Sequence, residues 1–361
     1  MKVGILTFHD AHNYGAVLQA FALKKYLKSK GAEVKIINYH HKNLPYGFPK
    51  KRKIEKKNIS NIYKHLYSKK SHYLRWERFE AFINELIDYD ITTYTSEEDL
   101  SKLDIDVWIS GSDQIWNSDI TKGLNKGYFL NFPTKGIKTT YAVSMGIQKL
   151  DEEYEKEFKE FINQIDFISV REDALKVYAE KFTDKPIQKV VDPTLLLEKQ
   201  DYEELYRDRL IKEDYLLIYT LGPDERLKVI AEKIAKERNL KIIEINDYKM
   251  PKYFCTQISD AGPHEFVTLF RDASYVITNS FHGTIFSIIN EKEFITFTRL
   301  NRNSRMESLL EMAGLKDRLI ANVEEIEKVK EIDYTQVKNN IKNQVEKSKE
   351  FINKSILNPR I

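Results

Sequence analysis

Cysteine is nearly absent from the sequence, since Cys255 is the only one among 361 residues. A single thiol excludes both an intramolecular disulfide and a cysteine-rich metal site. Proteins of reducing compartments rarely carry structural disulfides, so we expect this chain in the cytoplasm.

The sequence also lacks any apolar run that approaches the ~20 residues needed to span a bilayer. Its first residues, Met1–Thr7, form a short apolar run that leads directly into polar His9–His12. This run has neither the longer apolar region nor the small-residue cleavage site of a signal peptide. It is therefore better interpreted as a first strand.

Net charge is low, at +3, which gives no general case for nucleic-acid binding. Positive charge is nevertheless crowded into a basic excursion at residues 42–70, where Lys50–Lys53 stand near aromatic residues such as Tyr46 and Tyr63. Two interpretations stay open for it. Residues 50–70 could rest on an anionic membrane surface, where each nearby cation contributes about 1 kcal/mol, or the segment could be a solvated loop.

Two β-α-β patterns organise the rest of the chain. The first combines a strand at Lys2–Thr7, a helix at Ala16–Ser29 and a strand at Glu33–Asn38. The second begins with a strand at Tyr215–Leu221 and an amphipathic helix at 225–237. Each pattern implies a parallel sheet, and the length is too great for one ordinary core. We therefore predict an α/β protein with two Rossmann-like domains facing a cleft, the arrangement called GT-B.

The sequence pattern predicts two domains and a terminal helix. Residues 1–197 form an N-terminal domain, which ends after Asp192–Leu197. Residues 198–333 form a C-terminal domain. Residues 334–361 form a charged terminal helix, which we expect to cross back onto the first domain.

The most informative corner is Thr278–Gly283, which lies between a buried strand at Tyr275–Ile277 and an apolar helix at Thr284–Ile289. Ligands of open α/β sheets bind where a strand ends and the next helix begins, because free amides and the helix dipole attract anions there. His282 could donate a hydrogen bond to a phosphate or move a proton. Alternatively, it caps the helix while Gly283 permits close packing.

Polar residues follow three further strands. The first loop offers His12, Asn13 and Tyr14, which suit a sugar, although Asn13 could simply cap a helix. After the strand at Asp106–Ser110, Asp113 could accept a proton from a hydroxyl, or the segment could be an ordinary turn. Arg171 follows the strand at 167–170. It could bind an anion through paired hydrogen bonds or form a structural ion pair.

Three ordered segments resemble the signatures of the polysaccharide pyruvyl transferase family. They are Asn13–Ala20, Gly111–Asn117 and Ser280–Phe286, the last followed by Phe294–Phe297. The resemblance spans residues 13–297. It implies a GT-B-like fold and transfer of the enolpyruvyl group of phosphoenolpyruvate to a sugar, which forms a pyruvate ketal on two hydroxyls and releases phosphate.

The resemblance and this chemistry together suggest roles for the singled-out residues. His282 is the expected acid that protonates the enol-ether carbon, and Asp113 is the expected base for the sugar hydroxyl. The expected donor-binding residues are Arg171, Ser280, Gly283, Thr284, Arg302 and Arg305. The expected acceptor-binding residues are His12, Asn13, Tyr14, Ser112, Gln114, Asn117 and Ser144. We expect the domain of residues 1–197 to be the acceptor side and the domain of residues 198–333 to be the donor and phosphate side.

No cofactor or metal is expected beyond phosphoenolpyruvate as co-substrate. Phosphate leaves an activated carbon centre, and arginines can neutralise its charge. His40 and His41 are adjacent, but no acidic pair stands beside them at ligand spacing. The acceptor is expected in a capsule or cell-wall precursor at the inner membrane face. The resemblance leaves open whether a lipid or a nucleotide carries it.

Two rival functions share the predicted fold. A nucleotide-sugar glycosyltransferase would also direct a helix N-terminus at phosphate, and it would need carboxylates to grip a ribose, for which Glu291 and Glu293 are the nearest candidates. A non-catalytic sugar-binding or assembly protein is the other rival. The chain also departs from the family pattern in two places. Ala16 follows Gly15 where many members have aspartate, and the loop at 299–305 has arginines where some members place a lysine.

Overall fold

The structure is a computed structural model. It describes residues 1–40, 62–222, 224, 226–246, 254–297 and 304–359. Most of the predicted basic excursion therefore lies outside the described residues, as does Arg302. Among the helices that are described, none is long and apolar enough to cross a membrane.

The first sheet contains four parallel strands in the order β2-β1-β3-β4. These are β1 (Lys2–Leu6), β2 (Glu33–Ile36), β3 (Val107–Ser110) and β4 (Ile137–Thr140). β1 is central, with Val3 paired to both Val34 and Val107. The short parallel pair β5 (Ile168–Val170) and β6 (Ile187–Lys189) follows beyond β4, joined to it by single bridges.

The second sheet is larger and also parallel, in the order β12-β11-β10-β7-β8-β9. Its strands are β7 (Tyr215–Tyr219), β8 (Lys241–Ile245), β9 (Thr256–Ile258), β10 (Tyr275–Thr278), β11 (Glu293–Phe297) and β12 (Leu319–Ile320). β10 lies between β7 and β11, so the residues that follow it leave the middle of the sheet. Ligand sites in open α/β sheets are found at such central strand ends.

Eleven α-helices cover the sheets within the described part of the chain. They are α1 (Tyr14–Ser29), α2 (Ile62–Phe82), α3 (Glu97–Ser101), α4 (Ser118–Thr121), α5 (Glu152–Ile162), α6 (Asp173–Ala179), α7 (Arg226–Arg238), α8 (Pro263–Asp272), α9 (Phe281–Ile289), α10 (Ser304–Ala313) and α11 (Tyr334–Ile352). Short 3₁₀ helices occupy Pro193–Leu196, Lys199–Leu205, Lys316–Arg318 and Val323–Lys328, and π-helical turns follow α2 and α11. The predicted helices at 16–29 and 284–289 thus exist, each beginning two to three residues earlier than predicted.

Local chemistry explains where the two site-bearing helices begin. The Asn13 side chain accepts a hydrogen bond from the Ala16 amide and caps α1. Ser280 caps α9 in the same way by accepting from the Gly283 amide. Gly283 lies so close to β10 that a Cβ there would come within 2.3 Å of Thr278 Oγ1, so the glycine is what lets α9 pack against the strand.

The chain leaves the regular strand directly after β4, which ends at Thr140. Ala142 adopts a left-handed backbone, with φ of 52°, which a regular strand cannot accommodate. The chain therefore turns at the edge of the sheet and brings Ser144 toward the residues that follow β5.

The two sheets are joined by direct contacts as well as by the chain. The Tyr14 hydroxyl donates to the Ala261 carbonyl at 2.7 Å, and its ring stacks on Phe266 at 4.3 Å. On the other side, Ser308 of α10 donates to Asp173 of α6 at 2.8 Å. These contacts place the carboxyl ends of the first sheet opposite the start of α9.

The terminal helix α11 crosses back to the first sheet, as predicted. Gln344 donates to the Lys189 carbonyl at 2.6 Å, and Ser348 accepts from the Val191 amide at 3.0 Å. Ile352 at its end and Ile356 in the π-helical turn that follows are fully buried. The exact domain boundaries at residues 197 and 333 stay predictions.

Candidate active site

Residues from three strand ends of the first half meet the start of α9. Ser112 and Asp113 follow β3, Arg171 follows β5, and Asp192 follows β6. Because parallel strands present their carboxyl ends at one edge, these side chains lie together. His282, in the first turn of α9, faces them from the second sheet.

Arg171 is the centre of this group. Its Nη1 donates to Asp192 Oδ2 at 2.7 Å and lies 3.5 Å from Ser112 Oγ, while its Nη2 lies 3.5 Å from Asp113 Oδ1. Burial disfavours the guanidinium charge, but the neighbouring carboxylates outweigh it and raise the pKa of Arg171. Arg171 is therefore a fully charged group in a site shielded from water.

Asp192 is the carboxylate that links Arg171 to His282. It is 2% exposed, caps the short helix at Pro193–Leu196 and accepts hydrogen bonds from the Thr194 amide and hydroxyl. His282 Nε2 lies 3.4 Å from Asp192 Oδ2. Burial would raise the pKa of Asp192, but His282, Arg171 and Thr194 together hold it well below its usual value.

His282 is held at the contact between the two sheets. Its side chain is 9% exposed, and its ring covers Gly15 so closely that a Cβ on Gly15 would fall 2.0 Å from His282 Nδ1. The loop after β1 thus reaches the site through a glycine. His282 Nε2, although near Asp192, is not aligned to form a hydrogen bond with it.

Two arginines share one aromatic ring beside His282. The guanidinium carbons of Arg171 and Arg305 lie 4.8 Å and 5.6 Å from the centre of the Phe281 ring. No carboxylate of the described residues forms an ion pair with Arg305. Burial, and then repulsion from Arg171, lower the pKa of Arg305 to about 10. An anion between these guanidiniums would relieve that repulsion.

Glu172 holds the segment 144–146 at the same edge of the first sheet. Its Oε1 accepts hydrogen bonds from the Ser144 hydroxyl at 2.8 Å and from the Met145 and Gly146 amides. Its Oε2 is buried without a hydrogen-bond partner. Ser144, which the sequence offered to the acceptor, is fully buried and donates its hydroxyl inward, so it positions Glu172 instead.

Several buried polar atoms in this group have no hydrogen-bond partner. They are Arg171 Nε, Arg171 Nη2, Glu172 Oε2, His282 Nε2 and Thr284 Oγ1. Buried polar groups in native proteins are nearly always paired, with protein, water or ligand. Their concentration at one place therefore indicates a ligand site.

Some residues that were expected in the acceptor site have structural roles instead. Tyr14 is 2% exposed, with its hydroxyl and ring engaged by Ala261 and Phe266, so it joins the sheets rather than presenting a face to a sugar. Asn117 is also 2% exposed and caps α4 through the amides of 119 and 120. Asn13 caps α1, which was the alternative interpretation.

His12 and Gln114 have contacts of their own near the cleft. His12 stacks on Phe79, and its Nε2 lies 3.1 Å from Glu80. Gln114 accepts from Asn117 and lies against Gly146, where a Cβ would come within 1.9 Å of its side-chain oxygen. Of the expected acceptor-binding residues, Ser112 is the one that contacts Arg171, and the expected base Asp113 contacts it as well.

The amides at the start of α9 are partly used by the helix itself. Gly283 donates to Ser280 Oγ at 3.3 Å, and Thr284 donates to the Ser280 carbonyl at 2.9 Å. These two amides are therefore not free for a phosphate in this structure, contrary to the simplest sequence expectation. The Thr284 hydroxyl, by contrast, is buried and unpaired.

Sequence reasoning missed Asp192, Glu172 and Phe281. Asp192 was interpreted only as the domain exit, although an aspartate before Pro-Thr after a strand is a helix-cap pattern that places a carboxylate at the sheet edge. No metal cluster was predicted at His40 and His41 because no acidic pair stands beside them in the sequence, whereas the structure brings His9 and Asp10 next to His40.

A model of a known protein family matches most of the chain. The family is described as polysaccharide pyruvyl transferase, and the match covers residues 13–301. Comparison with curated protein sequences finds no match.

Solved structures with a similar fold include UDP-GlcNAc 2-epimerases. UDP-GlcNAc 2-epimerase of Methanocaldococcus jannaschii, in complex with UDP-GlcNAc and UDP, has a TM-score of 0.50 at 14% identity, covering 96% of this chain and 100% of that chain. The enzyme of Neisseria meningitidis has a TM-score of 0.51 at 8% identity, covering 96% and 94%. At these identities the likeness shows the fold alone, which is the predicted GT-B-like arrangement.

Proposed function

The chain belongs to the polysaccharide pyruvyl transferase family, and from that premise we propose that it transfers the enolpyruvyl group of phosphoenolpyruvate to a sugar of a polysaccharide or cell-surface glycan precursor. In the first step C3 gains a proton and a sugar hydroxyl bonds to C2. In the second step the C2–O bond to phosphate breaks and a neighbouring hydroxyl takes its place. The products are a pyruvate ketal and inorganic phosphate.

The observation that carries the proposal is the pair of arginines on Phe281. Phosphoenolpyruvate presents a carboxylate and a phosphate a few ångströms apart, and guanidinium groups bind both through paired hydrogen bonds. Arg171 Nε and Nη2 form no hydrogen bond, and Arg305 has a pKa lowered by burial and by Arg171. A dianion would accept hydrogen bonds from these groups and supply the negative charge that Arg305 lacks.

His282 is the proposed acid that protonates C3. It is the titratable group next to both Phe281 and the buried Asp192 carboxylate. Asp192 in turn holds Arg171, so one carboxylate positions both the acid and a donor-binding cation. General acids of this kind contribute typically 10²–10⁴-fold to a rate.

Asp113 is the proposed base for the attacking hydroxyl. Its side chain is 14% exposed, so it can still reach a ligand, and its Oδ1 is fixed by the Gln114 amide at 2.8 Å. Its backbone φ of 77° is unusual for a residue with a side chain, and such conformations cluster at functional sites. Ser112 beside it completes the acceptor side of the proposal.

The carboxylates that a nucleotide-sugar transferase would need are poorly placed. Glu293 begins β11, at the amino end of the strand and so at the opposite edge from His282. It accepts from Arg318 at 2.7 Å, and Glu291 pairs with Lys338. Neither offers a free carboxylate to a ribose near α9.

A lipid-linked or nucleotide-linked acceptor remains part of the proposal, with the reaction in the cytoplasm at the inner membrane face. The membrane contact through residues 50–70 stays a sequence prediction, because 41–61 lie outside the described residues. Ligand binding on the donor side can be tested without knowing the acceptor.

A thermal-shift panel tests the proposed donor. Phosphoenolpyruvate would be compared with uridine, guanosine and cytidine nucleotides on the full chain. A ligand present at 100 times its Kd adds about 2.7 kcal/mol to the free energy of unfolding. The proposal predicts stabilisation by phosphoenolpyruvate. Stabilisation by a uridine or other nucleotide, with no response to phosphoenolpyruvate, would replace it with a nucleotide-sugar activity.

A further inference from the structure

A second cluster of ligating side chains lies at the same edge of the first sheet. His9 and Asp10 follow β1, and His40 follows β2, so adjacent strand ends bring them together. One ring nitrogen of each histidine and a carboxylate oxygen of Asp10 all lie within 4.8 Å of one another. None of these residues has a role in the proposed transfer.

Both ring nitrogens of His9 face oxygen atoms that can only accept. Nδ1 lies 3.2 Å from the Thr7 carbonyl, and Nε2 lies 3.1 Å from the Asn38 side-chain oxygen. When Nδ1 donates to Thr7, Nε2 has the lone pair that would bind a metal, and the Asn38 oxygen would turn away from the ion. A backbone carbonyl that holds one imidazole nitrogen while the other binds is the usual support of a metal-bound histidine.

Asp10 supplies the second observation. Its Oδ2 lies 3.2 Å from His40 Nε2, a separation that suits two ligands of one ion as well as an ion pair. Its Oδ1, however, is buried with no hydrogen-bond partner among the described residues. A simple His40–Asp10 ion pair would leave this oxygen without a partner.

We propose that His9, Asp10 and His40 form a binding site for a divalent transition-metal ion such as Zn²⁺. Two imidazoles and one carboxylate form a common zinc ligand set, with bonds of about 2.0–2.2 Å. Ligand atoms that share an ion at such distances stand closer together than 4.8 Å, so the cluster contracts by about an ångström on binding.

The position of the site indicates which parts of the fold a bound ion would connect. β1 lies between β2 and β3, so the cluster is one strand away from the loop that carries Ser112 and Asp113. A bound ion ties the loop between β1 and α1 to the end of β2. That loop continues to Gly15, which supports the His282 ring.

Direct titration with Zn²⁺ tests the site without an activity assay. The full-length protein would be stripped with a chelator, dialysed and titrated by isothermal titration calorimetry. Asp10→Asn and His40→Gln remove ligands with little change in shape, since both side chains are partly exposed. His72→Gln, which removes an exposed histidine of α2, is the matched control for adventitious binding.

The expected result is one Zn²⁺ per chain, with a Kd raised at least about 10-fold in Asp10→Asn and His40→Gln and unchanged in His72→Gln. Far-UV circular dichroism of the stripped variants should match that of the wild type. Failure of the wild type to bind Zn²⁺ would overturn the proposal, and so would wild-type affinity in both ligand variants.

Discussion

The two sides of the cleft hold their polar groups in different ways. On the side of the first sheet, Asp192 is bonded to Arg171 and Thr194, and Glu172 accepts three hydrogen bonds. On the side of the second sheet, His282 Nε2 and Thr284 Oγ1 lack partners, and Arg305 has no described ion pair. The first wall, formed by Arg171, Glu172 and Asp192, is a network of paired charges, although Arg171 Nε and Nη2 and Glu172 Oε2 form no hydrogen bond. The second wall, formed by His282, Thr284 and Arg305, has no such network among the described residues.

This difference predicts two kinds of mutational effect. Removal of a first-wall group leaves a buried charge without compensation, which destabilises the protein. Removal of a second-wall group costs function and little stability. A first-wall variant that lost function but not stability, or a second-wall variant that lost stability but not function, would contradict this distinction.

The largest effect is expected for His282→Gln. Loss of the proposed acid should lower kcat by about 10²–10⁴-fold while Tm stays near the wild-type value. Phosphate release from phosphoenolpyruvate plus acceptor, and a melting curve, are the measurements. The matched control is His264→Gln, because His264 is equally buried but its Nδ1 bonds to the Leu205 carbonyl at 2.8 Å. That control should lose stability and keep kcat, and the reverse pattern would contradict the assignment.

Asp192→Asn is the corresponding first-wall variant. It leaves the buried Arg171 guanidinium partly uncompensated, so the free energy of unfolding should fall by about 3–5 kcal/mol in urea denaturation. Asp173→Asn is the control, since that carboxylate is half-exposed in its contacts with Lys189 and Ser308. Its loss should stay below about 1 kcal/mol. Equal losses in the two variants would show that the first wall is not a buried charge network.

The same variant has a defined pH dependence. The pKa of Asp192 is depressed in the folded state, so its stabilisation is present above the unfolded value near 3.9 and is lost as pH falls through the folded pKa. The stability difference between wild type and Asp192→Asn should therefore be constant at neutral pH and shrink below about pH 4. A difference that stayed constant to low pH would remove Asp192 as its source.

Gly15→Ala tests the contact between the walls. Alanine is the better helix former, yet its Cβ would lie 2.0 Å from His282 Nδ1 and must displace the ring. Displacement by about 1 Å can cost ~100-fold in rate, so we expect a comparable loss of kcat. Gly4→Ala, whose Cβ would meet only the Ile105 side chain at 3.2 Å, is the control for a buried glycine far from the site. Wild-type kcat in Gly15→Ala would show that His282 needs no fixed position.

Arg305→Gln should have the smallest effect. It removes a charge that is already disfavoured by burial and by Arg171, so Tm should stay the same or rise slightly. The KM for phosphoenolpyruvate should increase about 10-fold, equivalent to ~1.4 kcal/mol of binding. A clear drop in Tm with unchanged KM would place Arg305 in the structure rather than in the donor site.

The sequence predicts the site residues that follow directly after a strand. Asp113, Arg171 and His282 each follow a recognisable buried strand, and parallel strands share one edge, so their convergence could be foreseen. The orientation of short polar side chains could not. Asn117 and Ser144 have the same residue types as ligand contacts, but a cap on α4 and a bond to Glu172 turn them inward.

Asp192 and Tyr14 show that contacts between distant parts of the chain could not be predicted from the sequence. Asp192 lies 90 residues before His282 in the chain, and only the assembly of both sheets brings their side chains within 3.4 Å. Tyr14 looks like a sugar-stacking residue within a loop, yet its partners Ala261 and Phe266 belong to the other half of the chain. Contacts between the sheets are therefore what local patterns do not contain.

The most direct test of the central claim is calorimetric titration of phosphoenolpyruvate into the wild type and Arg305→Gln. The claim is that the donor binds between the two walls, on the arginines beside Phe281. It predicts one phosphoenolpyruvate per chain, bound about 10-fold more weakly by Arg305→Gln at an unchanged Tm. No binding to the wild type, or equal binding by both proteins, would contradict it.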